Sequence, residues 1–362
     1  MYWELALNKK KEEVRRSMRE WKGFTHGINL GGWVSQCPYF TEHYDNFIKE
    51  DDIKVIKSWG LDHVRVPIDY ELIEEKDGTV IESGYKYIDN VLEWCEAAGL
   101  NVLLDLHKTA GFFFHEDQKE TGFFSDEKLQ ERFYYLWERF ATRYGNIGEN
   151  VAFELLNEVT DKDYCDKWNE ISNKCIARIR KIAPNVKILV GGYWNNSVEA
   201  VKDIAMPADE NVIYNFHCYD PLVFTHQGAS WIKEMDVNFR MPFDSTYKQY
   251  EEYAKKNLNF REGSIVSLGD GDENAVISEN YFEHLFAEAF KVAEERNVPL
   301  YCGEYGVIDL VGPEDTIKWY KAFSTVLNKY KVGRAAWTYK SMSFGIAGPK
   351  FDGLRDELLK YL

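Results

Sequence analysis

Val151-Ala152-Phe153-Glu154-Leu155-Leu156-Asn157-Glu158 is a largely apolar run that closes on a carboxylate. Val298-Pro299-Leu300-Tyr301-Cys302-Gly303-Glu304-Tyr305-Gly306 repeats that design much later in the chain. Continuous apolar runs of this length are expected of strands covered on both faces, as in a parallel sheet flanked by helices. Working outward, further strand candidates are Phe24–Leu30, His63–Val66, Val102–Leu106, Ile188–Val190, Val212–Phe216 and Ala335–Trp337. Between them lie helical stripes. Ile53, Ile56 and Trp59 form one, with Asp51 or Asp52 as its N-cap and Gly60 as its stop. Tyr85, Ile88, Leu92 and Cys95 form the next, and Leu129, Phe133, Leu136, Trp137, Phe140 and Tyr144 the clearest. Others run from Trp168 to Ile182, Phe282 to Ala293 and Ile317 to Leu327. Eight alternating strand–helix units read as an α/β fold, a (β/α)8 TIM barrel. The alternative, a doubly wound open sheet, lacks a G-x-G-x-x-G turn after its first strand.

The alternation is broken once. Residues 221–279, after the sixth strand, form a stretch of mixed polarity far longer than an ordinary connection. It reads as an insertion over the C-terminal mouth of the barrel, where loops decide specificity. Residues 1–22 read as an N-terminal helical extension that plugs the barrel bottom, and residues 23–362 as the catalytic barrel.

Composition narrows the partners. The 362 residues carry a formal net charge of −16 with no large basic cluster, which excludes nucleic acid and anionic membranes as natural partners. No segment approaches the roughly 20 apolar residues needed to span a bilayer. Met1-Tyr2-Trp3-Glu4 is followed by charges rather than an apolar core, so a cytoplasmic setting is expected, or secretion if a leader has been trimmed. The six cysteines show no C-x-x-C pair and read as free thiols, and no spacing suggests a metal loop. Neither cofactor nor metal is expected, and the chain is expected to act as a monomer. Aromatic residues make up 15% of the sequence, an excess suited to stacking on the apolar faces of sugars.

In a barrel of this kind the strand C-terminal ends line the site. Taken in order they offer Asn29 to Trp33, Arg65, His107, Asn157 with Glu158, His217 with Tyr219, Glu304 and Trp337. Packing accounts for any one of these, but not readily for all of them at one rim. Two glutamates so placed suit glycosidic cleavage, in which one carboxyl protonates the leaving oxygen and the other attacks the anomeric carbon or activates water. A glutamate held protonated needs burial or a nearby negative charge; a nucleophilic one needs donors, which Arg65 and Tyr219 can supply. His107 and His217 are suited to bind sugar hydroxyls or orient the carboxyls. Asn157 is placed to hold a sugar 2-hydroxyl.

These residues fall in segments that resemble glycoside hydrolase family 5, the cellulase family. They are Gly27-Ile28-Asn29-Leu30-Gly31-Gly32-Trp33, His63-Val64-Arg65-Val66-Pro67, Leu104-Asp105-Leu106-His107, Phe153-Glu154-Leu155-Leu156-Asn157-Glu158, Asn215-Phe216-His217-Cys218-Tyr219, Gly303-Glu304-Tyr305-Gly306 and Ala336-Trp337. The stretch from Tyr219-Asp220-Pro221 to Trp231 looks like the endoglucanase C type. The resemblance implies Glu158 as acid/base and Glu304 as nucleophile of a retaining mechanism. Arg65, His107, Asn157, His217, Tyr219 and Trp337 would complete the shell. Two positions depart from the pattern: Lys108 stands where many relatives have a second histidine, and Tyr305 where phenylalanine is commoner. The expected activity is an endo-β-1,4-glucanase on cellulose-type or mixed-linkage β-glucan. Rival readings are an exo-acting β-glucosidase or β-1,3-glucanase, a β-mannanase or xyloglucanase, and a non-catalytic carbohydrate-binding barrel. A phosphate-binding metabolic barrel fits less well, since Trp337 and Tyr339 occupy the region of its phosphate loop.

Overall fold

A computed structural model describes residues 18–114, 121–258 and 273–362. Eight parallel strands close into a barrel in sequence order: β1 (His26–Asn29), β2 (His63–Asp69), β3 (Asn101–Lys108), β4 (Val151–Glu154), β5 (Lys187–Val190), β6 (Val212–Cys218), β7 (Leu300–Tyr305) and β8 (Gly333–Ala336). β1 pairs with both β2 and β8, so the sheet has no edge.

Helices coat the outside as the apolar stripes require. The first connection carries α1 (Thr41–Phe47) and α2 (Glu50–Ser58). The N-cap of α2 is Lys49, not an aspartate; Asp52 instead accepts the Lys49 backbone N–H at 2.9 Å from inside the first turn. Then follow α3 (Tyr85–Ala98), stopped by Gly99 in the left-handed conformation, α4 (Glu127–Tyr144) and α5 (Cys165–Arg180). Strand β5 departs from the pattern. Its connection to β6 holds only a left-handed turn at Trp194–Asn196 and a six-residue 3₁₀ helix, Val198–Asp203. After β6 come a short helix at Leu222–Thr225, α6 (Tyr247–Asn257) and α7 (Glu279–Arg296), and after β7 comes α8 (Pro313–Lys329). Within the 221–279 stretch, residues 259–272 lie outside the described set, as do residues 1–17 of the N-terminal extension. Residues 18–21 carry no regular structure, and Trp21 stacks on Phe24 with ring centroids 4.0 Å apart beneath the barrel.

The barrel interior changes character as the strands rise. Its floor is apolar: Trp21, Phe24, Leu103, Ala152, Leu189, Ile213, Tyr301 and Ala335 form one buried cluster. Two residues further along the same strands the inward positions turn polar, since side chains alternate faces with period two. Thus Leu103 is followed by Asp105 and His107, Ala152 by Glu154, and Ile213 by Asn215 and His217. Register shifts near the C-terminal ends of β2, β6 and β7 tilt these last residues toward the mouth. In β7 the shift falls at Gly303. A Cβ there would meet Asn215 Oδ1 at 2.8 Å and His217 Nε2 at 3.0 Å, so glycine alone lets the two strands bring their polar ends together. The six cysteines are all free, four of them buried and Cys37 and Cys165 partly exposed. Among the described residues no helix is long and apolar enough to cross a membrane.

Candidate active site

Arg65 organises the polar layer. Its side chain is fully buried on β2, and every guanidinium nitrogen is engaged. Nε and Nη2 donate to the two oxygens of Glu154 at 2.7 and 2.8 Å, in a fork that suits a planar guanidinium. Nη2 also reaches Asn157 Oδ1 at 2.9 Å and Asp105 Oδ2 at 3.0 Å. Nη1 donates to Asn29 Oδ1 at 2.9 Å and to Glu304 Oε1 at 2.8 Å. One cation thus faces three buried carboxyls. Burial pushes Asp105 up to about 7 despite Arg65, and pushes Glu154 up as well, while the carboxylates together hold the Arg65 guanidinium firmly charged.

The two glutamates above this layer are held in different ways. Glu304, within β7, accepts from Arg65 on one oxygen and from the Tyr219 hydroxyl on the other at 2.9 Å. Burial raises its carboxyl and the nearby Glu158 charge adds to the rise, whereas His217 and Arg65 pull it back. Glu158 lies four residues beyond the end of β4, with φ of 42°, a backbone state that non-glycine residues adopt at a cost of about 1–3 kcal/mol. The Asn157 N–H donates to Leu106 O at 3.0 Å and fixes this segment on the end of β3. Glu158 Oε1 meets His217 Nδ1 at 2.8 Å, and Oε2 accepts from Asn195 Nδ2 at 3.0 Å. Burial lowers His217 to about 4, so its imidazole is neutral at neutral pH.

Each residue expected at the rim is therefore found at this end of the barrel, but not all of them touch the glutamates. His107 donates or accepts through Nδ1 to Asp105 at 2.7 Å and through Nε2 to Gln36 at 2.8 Å. Its ring lies parallel to that of Trp337, with centroids 5.8 Å apart. Asn157 is anchored by its carbonyl oxygen, while its buried Nδ2 has no protein partner. Lys108 pairs with Glu71 and sits 5.1–5.9 Å from the rings of Tyr39, Tyr70 and Phe113. Glu154, Asp105, Asn215, Gln36 and Asn195 are participants that were not singled out from the sequence. The first three carried a signal: each is a polar residue on a buried strand, and Asp105 and Asn215 stand two positions before a rim histidine. Gln36 and Asn195 come from loops with positive φ, which no apolar periodicity marks.

One oxygen of Glu158, one of Glu304 and His217 Nδ1 all lie within 4.8 Å of one another. Close enough to chelate an ion, these donors are already engaged by protein groups, and the Arg65 charge on Glu304 opposes a cation. Two carboxyl groups this close, one held by a cation and a phenol and one by an amide and a neutral imidazole, suit paired nucleophilic and acid/base work.

The sequence profile of Cellulase (glycosyl hydrolase family 5) matches residues 8–343. The chain belongs to this family. It is a glycoside hydrolase, and the barrel with its rim is that of a family 5 cellulase fold. Cellodextrinase A of Ruminococcus flavefaciens is 49% identical over 313 residues, covering 86% of this chain and 84% of that protein. Endoglucanase C of Acetivibrio thermocellus is 38% identical over 343 residues, covering 94% of this chain and 98% of its own, in line with the endoglucanase C resemblance. Among solved structures, endoglucanase Cel5A from the hyperthermophilic Thermotoga maritima is 25% identical, with a TM-score of 0.71 over 94% of this chain and 97% of that one.

Proposed function

We propose that this family 5 enzyme is a retaining endo-β-1,4-glucanase that works on cello-oligosaccharides and accessible β-glucan chains. The observation that carries the mechanism is the short distance between the carboxyl groups: oxygens of Glu158 and Glu304 lie within 4.8 Å. Retaining glycosidases hold their two carboxyls about 5–5.5 Å apart, whereas inverting ones need about 6.5–9.5 Å to admit a water. In this reading a Glu304 oxygen attacks the anomeric carbon while Glu158 gives its proton to the departing glycosidic oxygen. The C–O bond to the aglycone breaks and a glycosyl ester forms on Glu304. Esterification removes the Glu304 charge that had favoured protonated Glu158. Glu158 then takes a proton from water, whose oxygen displaces the ester and restores Glu304. Arg65 and Tyr219 keep Glu304 ionised before attack and receive the carboxylate again as it leaves. The unpartnered Nδ2 of Asn157 suits the 2-hydroxyl of the sugar being cleaved, and Trp337 with His107 forms the wall on which its ring would rest.

Endo action is supported by exposed aromatics on opposite sides of the mouth. Tyr39 and Phe40 follow β1 and are about half exposed; Trp194 follows β5, four strands away around the barrel, and is equally exposed. A chain laid between them would cross the catalytic pair. Trp231 in the 221–279 stretch is exposed beside His226, whose ring meets that of Tyr219, and this stretch is proposed to shape one flank of the groove. The name cellodextrinase, carried by the 49% identical relative, favours short soluble chains over crystalline cellulose. Action as a monomer belongs to the same reading and is checked by sedimentation.

Incubation with carboxymethyl cellulose, barley β-glucan, laminarin, glucomannan and cellohexaose tests the proposal. A rapid fall in viscosity on the first two, with cellobiose and cellotriose released, is expected, with cellohexaose cut at the highest kcat/KM. Glucose as the sole product with unchanged viscosity would instead establish exo action. Glu158→Gln and Glu304→Gln should each lose about 10²–10⁴-fold in kcat on cellohexaose; near-normal rates in both would end the two-glutamate assignment.

A further inference from the structure

We infer that the left-handed turn after β5 is a positioning device for the acid/base, with Asn195 its acting residue. The inference rests on the assignment of Glu158 as acid/base. Three consecutive residues, Trp194, Asn195 and Asn196, hold φ of 49°, 57° and 56°, a conformation that single asparagines tolerate but that chains rarely string together. The turn is tied to the segment it serves: Asn195 N–H donates to Val159 O at 2.9 Å, one residue beyond Glu158. From there Asn195 Nδ2 donates to Glu158 Oε2 at 3.0 Å. The next residue acts from the other side. Asn196 Nδ2 faces His217 Nε2 at 3.4 Å, and Asn215 Nδ2 faces the same nitrogen at 3.5 Å. Two amide donors make Nε2 the acceptor, so the proton sits on Nδ1 and His217 donates to Glu158 Oε1 at 2.8 Å. Asn196 can lie so deep because a Cβ at Gly191 would come within 2.2 Å of its Oδ1. Successive residues of one turn therefore hold both oxygens of one carboxyl, the first directly and the second through an imidazole tautomer.

Such a clamp fixes which lone pair faces the glycosidic oxygen, and it favours the ionised form that the second half-reaction needs. Among the other groups that bear on Glu158 are Asp105 and His107 on β3, His217 on β6 and Tyr219 just beyond it, and Glu304 on β7; Asn195 comes from the β5 side.

The test uses aryl β-cellobiosides of graded leaving-group acidity. Dinitrophenolate departs without protonation and phenol does not. Asn195→Gly removes the side chain while keeping a residue at ease with positive φ, and Asn195→Asp keeps the shape but replaces the donor by an acceptor. For Asn195→Gly we expect kcat/KM on the phenyl substrate to fall about tenfold or more, a share of what general acid catalysis supplies, with the dinitrophenyl substrate changed by less than about threefold. The alkaline limb of kcat/KM should move to higher pH, further for Asn195→Asp, because a donor to the ionised carboxyl is lost. An equal fall on all leaving groups, no fall, or an unmoved limb would overturn the inference. Glu158→Ala in the same series separates the two claims. If it shows no leaving-group dependence, the acid/base assignment fails; if it shows a steep one that Asn195→Gly does not share, only the role of the turn fails.

Discussion

Arg65 shows how much of this site hangs on single side chains. Its guanidinium, with no exposed surface, is the common partner of Glu154, Asp105, Asn157, Asn29 and Glu304. Taking such charges out of water costs several kcal/mol each, and the arrangement persists because the guanidinium is paired on every nitrogen at once. Glu154→Leu, which takes away the one partner that Arg65 grips through two nitrogens, should lower the unfolding free energy by about 3–5 kcal/mol in urea titration. Tyr219→Phe acts on chemistry instead. Without its hydroxyl the ionised form of Glu304 loses a donor, so the carboxyl, already raised by burial, rises further. The acid limb of the kcat/KM profile should therefore move to higher pH, with kcat down about 10–100-fold, the worth of a hydrogen bond to a charged group; an unmoved limb would show that Tyr219 does not bear on the nucleophile.

At the scale of elements, the strand ends were the most legible part of the chain and the loops the least. Glu158 and Glu304 stand out because a charge at the end of an apolar run has no packing explanation. Asp105 and Asn215 obey the same two-residue alternation as His107 and His217, and only the habit of reading strands to their last residue hides them. Asn195 was not legible: Gly191-Gly192-Tyr193-Trp194-Asn195-Asn196 announces a turn but not its hand, and the hand is what aims the amide. Where a helix was expected after β5, the chain spends its residues on that turn and a 3₁₀ segment. Glu158 also sits past the strand rather than on it, because β4 stops pairing at Glu154. Gly303 makes the dependence of chemistry on element geometry testable. Gly303→Ala forces Asn215 and His217 aside, and since a displacement of about 1 Å near the reacting atoms costs up to about 10²-fold, kcat/KM should fall by one to two orders of magnitude. The loss should far exceed any change in melting temperature.

For the whole molecule, the division into an apolar floor and a polar upper barrel predicts a particular response to acid. Burial lowers His226 to about 3, far below the ordinary 6.5. The unfolded chain takes up a proton as pH falls through 6.5 and the folded chain does not. Stability is therefore full above about pH 6.5 and declines below it, by about 1–2 kcal/mol at pH 5 for this residue; His217, lowered to about 4, works in the same direction. The drop in melting temperature between pH 7 and 5 should be smaller in His226→Gln, as calorimetry would show. That the chain closes into a barrel followed from the count of alternating elements. That its upper half is a single connected polar network did not, because the partners come from six different strands and meet only once the sheet is shut.

The shortened connection after β5 bears on how the molecule opens. Every other wall of the barrel near the acid/base is backed by a long helix whose ladder of hydrogen bonds must break together. Here the backing is six residues of 3₁₀ helix, held from outside by α7 through Arg296 Nη1 to Ile204 O at 2.6 Å and Nη2 to Lys202 O at 2.7 Å. Local opening should cost less there than global unfolding. Amide hydrogens in residues 194–204 would then exchange with deuterium well before those of β3 or β6. On warming, the acid/base would lose its support while the barrel still stood, so that hydrolysis of unactivated substrates fails at a temperature at which circular dichroism still reports a folded protein.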